Sequence, residues 1–153
     1  MAAAGLDDEP AIGAHLVSQR RGYQHHGIYV GSGKVVHYAG FAASAHRGPV
    51  CEVSLEQFAG GQTVTVQPHP LPKFAGDEAV RRARSRLGEN RYRLLTNNCE
   101  HFCAWCLFGE SRSEQVHACL TRPAAGLHAL LWLAIAFAAG AGTHAFAVVR
   151  AVA

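Results

Sequence analysis

A cysteine sits directly behind three small polar residues in Thr96-Asn97-Asn98-Cys99-Glu100-His101-Phe102, and an apolar pattern at helical spacing follows it: Phe102, Cys103, Trp105, Cys106. Thr and Asn are good helix N-caps, so the pattern predicts a helix with the Cys99 sulfur in its first turn. Unpaired N–H groups and the dipole at a helix start favour an anion, which predicts a thiol pKa below that of free cysteine. Such a sulfur is a nucleophile in need of a base.

Imidazoles that would serve it lie upstream, in Tyr23-Gln24-His25-His26-Gly27-Ile28-Tyr29-Val30-Gly31-Ser32-Gly33-Lys34-Val35-Val36-His37-Tyr38. Two β-rich runs flank Gly31-Ser32-Gly33, which reads as a hairpin with a short glycine loop. Side chains alternate faces along a strand, so register decides which histidines meet. If paired positions sum to an even number, His25 and His37 share a face; if odd, His26 and His37 do. Spacing alone leaves both registers open.

Together these two blocks resemble the lecithin:retinol acyltransferase domain family, which includes the vertebrate retinol acyltransferase and small phospholipase/acyltransferases. The match is Tyr-x-His-x-x-Ile-Tyr-Val-Gly-x-Gly-x-Val-Val-His followed by Asn-Cys-Glu-His-Phe, in order and in internal spacing, within a stretch from Ile12 to Leu120. The resemblance implies an α+β fold, a circularly permuted papain-like domain related to the NlpC-type peptidases, with an antiparallel sheet and a nucleophile helix. By position it implies His25 as base, His37 as the residue orienting it, and Cys99 as nucleophile, and it thereby selects the even register. It implies a phospholipid acyl donor, a thioester on Cys99, and release of the acyl group to water, an amine or an alcohol, with no cofactor. An Asp that many members carry after the first glycine is Ala14 here, and the long insert of the retinol-specific enzyme is not visible between His37 and Cys99.

Two other chemistries use the same residue types. A papain-like cysteine amidase or peptidase would employ the same Cys–His machinery. A zinc module would take His25, His37 and Cys99 as ligands with Cys103 or Cys106 completing the set, although no Cys-x-x-Cys pair is matched by a second one. His101 falls about 200° around the helix from Cys99 and is expected to make a structural hydrogen bond, whereas Cys103 and Cys106 lie on the Cys99 face and should pack inward. His26 is expected to line the opposite sheet face from the pair.

The chain as a whole must hold these residues in place. Its 153 residues suit one domain with an appendage; 49% are apolar and 16% charged, which is apolar for a soluble chain. A net charge of +3 is too mild to suggest nucleic acid and is compatible with an anionic lipid surface. Residues 1–11 read as a flexible leader with Asp7, Asp8 and Glu9 and no signal-peptide core. The five cysteines are an odd number with three crowded on one helix, which argues against a disulfide framework and for a reducing compartment.

A first strand is expected from Gly13 to Val17, a loop from Ala39 to Pro49, a strand at Val50–Val53, and a brief helix capped by Ser54 with Gln57 and closed at Gly60. Thr63–Gln67 reads as a strand stopped by Pro68, Pro70 and Pro72. Asp77 is expected to cap a helix to about Leu87 with Val80, Ala83 and Leu87 on its apolar face, and its arginines read as a solvated face. Tyr92–Leu95 reads as a short strand, and Ser111 with Glu114 as the cap of a helix over 112–120.

From Ala124 to Val149 there is no Asp, Glu, Lys or Arg. A membrane-spanning helix needs about 20 predominantly apolar residues, so this run is long enough to cross. Residues 122–153 are therefore expected to anchor a catalytic domain of residues 12–121 on the cytoplasmic side of a membrane. The other reading is a buried pair of helices broken near Gly140-Ala141-Gly142, with a cytoplasmic protein.

Overall fold

The computed structural model describes residues 8–41 and 47–122, together with Ala124, Leu127, Leu131, Ala134 and Ile135. Five strands, β1 (His15–Arg20), β2 (Tyr23–Gly31), β3 (Lys34–Gly40), β4 (Gly48–Ser54) and β5 (Val64–Gln67), form one antiparallel sheet in the order β4-β3-β2-β1-β5. Four helices accompany them: α1 (Leu55–Ala59), α2 (Gly76–Ser85), α3 (Cys99–Phe108) and α4 (Glu114–Thr121). The architecture is α+β, as expected.

A turn and a bulge together set the register. Ser32 and Gly33 both have positive φ, 53° and 65°, the backbone of a two-residue turn whose twist matches that of the flanking strands. The turn itself pairs Gly31 with Lys34, an odd sum. An irregularity between Tyr29 and Gly31 shifts the ladder by one residue, so that Gly27 pairs with His37, Ile28 with Val36 and Tyr29 with Val35, and the even register holds at the histidines. One sheet face buries Ile28, Val30, Val36, Tyr38 and Val50 against Ala79, Val80 and Ala83 of α2 and Cys99, Phe102, Cys103 and Cys106 of α3. The other buries Leu16, Tyr29 and Val35 against Phe58 of α1.

Local chemistry explains the helix ends. Ser54 and Gln57 close the expected capping box of α1, and Gly60 ends it at φ 56°. Asn98 caps α3 by accepting from the His101 N–H at 3.0 Å, and Gly109 ends it at φ 78°.

Several expectations are corrected. The α2 N-cap is Ala75, with no side-chain cap, and Asp77 lies inside the first turn. That helix stops at Ser85, so Leu87 leaves the apolar face and is 45% exposed, its place taken by Ala79. Tyr92–Leu95 forms no strand; the chain turns back on itself and a single bridge links Arg93 with Asn97 instead. Ser113, not Ser111, caps α4 by accepting from the Val116 N–H, and its hydroxyl donates to Glu100. No helix among the described residues is long and apolar enough to cross a membrane. The hydrophobic run after Ala124 lies largely outside the described residues.

Candidate active site

His25 and His37 stand diagonally on adjacent strands, on the face that carries Phe58. Because Gly27 is the residue directly opposite His37, a position without a side chain separates the two rings in register. A Cβ at Gly27 would come within 2.5 Å of Val35 Cγ1 and 2.9 Å of Phe58 Cε2, so only glycine leaves room for Phe58 beneath the pair. The imidazoles meet edge to face, His25 Nε2 lying 2.7 Å from His37 Nδ1. His37 Nε2 in turn lies 3.3 Å from Cys51 Sγ, its direct partner across the β3–β4 ladder.

Both rings are buried. Desolvation, followed by the neighbouring His37 and Arg20 charges, holds the His25 imidazole well below the usual histidine range, and burial with Arg20 brings His37 down to about 4. Arg20 is fixed there because its guanidinium donates to the Ala59 and Phe58 carbonyls at 2.9 and 2.6 Å, at the C-terminal end of α1. At neutral pH the pair is uncharged.

The cysteine belongs to a helix on the opposite sheet face, yet its sulfur meets the same strand. Pairing between β2 and β3 begins only at Gly27, so Tyr23–His26 has β1 on one side and an open edge on the other. Cys99 Sγ sits 3.9 Å from the Gln24 carbonyl and accepts from the His26 backbone N–H, the two main-chain groups that bracket His25. The N–H groups of Glu100 and Cys99, freed by the helix start, also favour the thiolate.

These donors lower the thiol pKa, but burial outweighs them. Cys99 is 4% exposed, and desolvation pushes its thiol up to about 11. The expectation of a thiol below the free-cysteine value is therefore corrected: a helix N-terminus stabilises an anion only modestly, and removal from water costs more.

The other candidates sort clearly. His101 is buried and bonded to its own cap, Nδ1 lying 2.8 Å from Asn98 Oδ1. Cys103 and Cys106 are fully buried in the helix-side core and, with Cys51 and Cys99, carry free thiols. His25 and His37 face each other across 2.7 Å from the sheet side opposite Cys103 and Cys106, so the four donors do not surround a common point. No group of three or more His, Cys, Asp or Glu suited to a metal ion occurs among the described residues.

Sequence reasoning missed four contributors: Cys51, Arg20, Phe58 and a second histidine string. In that string His15 Nδ1 lies 2.8 Å from His69 Nε2, and His15 Nε2 lies 2.8 Å from His26 Nδ1. His26 does occupy the face opposite His25, as expected. The pairing of His15 with Ile28 and of Val17 with His26 makes the string, and no sequence signal specifies that register.

The sequence model of the family described as Lecithin retinol acyltransferase matches residues 8–112, which contain both histidines of the pair and Cys99. The chain belongs to the lecithin retinol acyltransferase family. Human phospholipase A and acyltransferase 2 is 35% identical over 131 residues, covering 73% of this chain and 79% of that protein. Rat lecithin retinol acyltransferase is 31% identical over 127 residues, 65% of this chain and 55% of that protein. Human phospholipase A and acyltransferase 1 is 30% identical over 127 residues, covering 73% and 76%. Membership of the lecithin retinol acyltransferase family supports an enzyme with acyltransferase or phospholipase A activity in general.

Proposed function

We propose that the chain is a thiol-dependent acyltransferase and phospholipase of the A type, acting on phospholipid acyl esters through Cys99, His25 and His37. The observation that carries this reading is the neutral, hydrogen-bonded His25–His37 pair set on the strand whose main chain holds the Cys99 thiol. Nδ1 of His25 makes no hydrogen bond to another described group, Cys99 Sγ included, whose partners are main-chain groups of Gln24 and His26. In this reading Nδ1 is the nitrogen that takes the thiol proton once the sulfur turns toward it. In this reading residues 12–121 form a permuted papain-like catalytic unit between a leader and a hydrophobic C-terminal segment.

His25 takes the thiol proton as the sulfur attacks the ester carbonyl, so one S–C bond forms while the carbonyl electrons move to oxygen. With the thiol at about 11, proton transfer accompanies attack and no preformed thiolate is required. The oxyanion is met by the backbone N–H groups already gathered at the sulfur, those of Cys99, Glu100 and His26. Collapse of the tetrahedral species breaks the C–O bond, and His25 returns its proton to the departing lysophospholipid oxygen. An acceptor hydroxyl or amine repeats the sequence on the thioester. His37 holds the orientation and tautomer of His25, the role an acid plays in a serine triad.

Membrane attachment belongs to the same reading. Leu127, Leu131 and Ile135 recur at helical spacing and are exposed, apolar surface that a bilayer would cover. An enzyme tethered at the bilayer meets its acyl donor at high effective concentration. Ending the chain at Arg122 is expected to move it from the membrane fraction to the soluble one.

Intact-mass analysis after brief incubation with a short-chain phospholipid tests the chemistry. A single acyl adduct is expected on Cys99, absent in Cys99→Ala and greatly slowed in His25→Ala. An adduct that persists in Cys99→Ala would assign the nucleophile elsewhere.

A further inference from the structure

The arginines of α2, and Arg86 just after it, are occupied. Arg84 pairs with Glu52, Arg86 with Glu89 and Arg81 with Glu78, while Arg82 lies between the rings of Phe74 and Trp105. Arg91 and Arg93 are exposed, neither guanidinium has an ion pair or hydrogen bond among the described residues, and the two line one cavity. With Arg47, whose guanidinium reaches only the Tyr92 carbonyl at 3.4 Å, they line a cavity of about 470 Å³.

No carboxylate is among the described residues that line this cavity. Its remaining wall is Asn90, Tyr92, Thr96 and Asn97, and the carboxylate nearest in contact, Glu89, already holds Arg86 and the Asn97 amide. Three guanidiniums around a concave, acid-free site match an anion with several acceptor oxygens, because each planar fork offers paired N–H donors.

The cavity is also tied to the nucleophile. Asn97 lines it two residues before Cys99, and paired backbone hydrogen bonds between Arg93 and Asn97, at 3.0 and 2.8 Å, stiffen the loop between them. The Asn98 amide, at the start of α3, donates to the Leu94 carbonyl at 2.8 Å. That loop leaves Leu94 and Leu95 exposed, so apolar side chains and unpaired cations share one rim.

We propose that the Arg47–Arg91–Arg93 cavity binds the phosphodiester of a phospholipid headgroup, with Leu94 and Leu95 against its acyl region, and so presents the ester to Cys99. The inference rests on the acyl-transfer reading for its substrate class. The glycerol places phosphate and ester carbonyl a few bonds apart, the scale of the two-residue step from cavity wall to sulfur. Recognition of the phosphate makes the site discriminate a phospholipid from a neutral acylglycerol of the same chains.

Calorimetric titration of the full-length Cys99→Ser protein reads binding apart from chemistry. The probes are dihexanoyl phosphatidylcholine below its micellar concentration, dihexanoylglycerol and inorganic phosphate. Dihexanoyl phosphatidylcholine is expected to bind at least about tenfold more tightly than dihexanoylglycerol, and Arg91→Gln with Arg93→Gln to weaken it by about tenfold per guanidinium. Dihexanoylglycerol should bind the double variant as before, and Arg81→Gln should change nothing. The proposal is overturned if the double variant binds the phospholipid unchanged, if it loses both lipids equally, or if only inorganic phosphate responds. Arginine-dependent phospholipid binding in a protein whose Cys99 never acylates would sink the acyl-transfer reading and leave the cavity standing. Acylation of Cys99 at unchanged lipid concentration dependence in the double variant would do the reverse.

Discussion

His37 stands between two partners, its Nδ1 2.7 Å from His25 Nε2 and its Nε2 3.3 Å from Cys51 Sγ. A proton on His37 Nε2, given to the Cys51 sulfur, leaves Nδ1 to accept from His25 Nε2–H, and His25 Nδ1 then carries the lone pair a base requires. Loss of His37 leaves a buried N–H on His25 without its acceptor, a cost of about 1–3 kcal/mol. His37→Ala is therefore expected to lower kcat by about ten- to hundredfold with little change in KM. His25→Ala should fall further, by about 10²–10⁴. Cys51→Ala should stay within about tenfold, since sulfur is a weak acceptor. A steady-state comparison of the three variants checks the order.

The pH profile follows from burial. His25 is active when neutral, and its pKa lies below the ordinary value of 6.5, as does that of His37 at about 4. The acid limb of kcat/KM is expected well below pH 6.5. Replacing Arg20 by Met removes a nearby positive charge and should move that limb upward, toward 6.5.

The thiol gives a separate signature. With Cys99 at about 11, its reaction with iodoacetamide in the absence of lipid should remain slow at pH 7 and still be rising above pH 9. A rate already at its plateau by pH 7 would reveal a thiolate–imidazolium pair and contradict this account.

Stability should respond to pH from the same cause, burial of neutral imidazoles, and in the same direction. His26 and His37 both sit at about 4 when folded, with burial the main cause, and His15 and His25 are also depressed. The unfolded chain thus binds protons near pH 6.5 that the folded chain refuses, so stability is present above 6.5 and lost as pH falls toward 4. Urea midpoints measured from pH 7.5 to 4.5 should fall steadily, and His26→Phe with His15→Leu should flatten part of the slope.

Gly27 allows a packing test. A methyl group there meets Val35 and Phe58, and overpacking of this kind costs about 1–3 kcal/mol. Gly27→Ala should lower Tm and disturb the His25–His37 contact, whereas Gly33→Ala, where a Cβ would meet open space, should cost only the strain of its positive φ of 65°. Comparing kcat and Tm for the two variants separates packing from turn strain.

Much of the local structure was legible because its causes are local. Ser54 with Gln57, Asn98 before Cys99, and Gly60 and Gly109 after their helices each act within one turn of chain, so caps and stops could be read directly. The misreadings at Asp77, Ser111 and Tyr92–Leu95 share one feature. Each had an acceptable local pattern; Ser113 and the Arg93–Asn97 bridge took the bonds expected of Ser111 and of a strand, while the α2 N-cap falls two residues before Asp77, at Ala75, with no side-chain cap at all.

The chain by itself determined a sulfur at a helix start, a glycine-turned hairpin bearing histidines, and membership of a family through those two blocks. These depend on residue type and short spacing, which sequence carries in full. Only the tertiary structure decided that β3 parts from β2 at Gly27, opening the edge where Cys99 meets the main chain beside His25. It alone set the thiol at about 11 and left Arg91 and Arg93 unpaired around a cavity. Desolvation and pairing depend on what lies nearby in space, and spatial neighbours far apart along the chain have no signature in spacing.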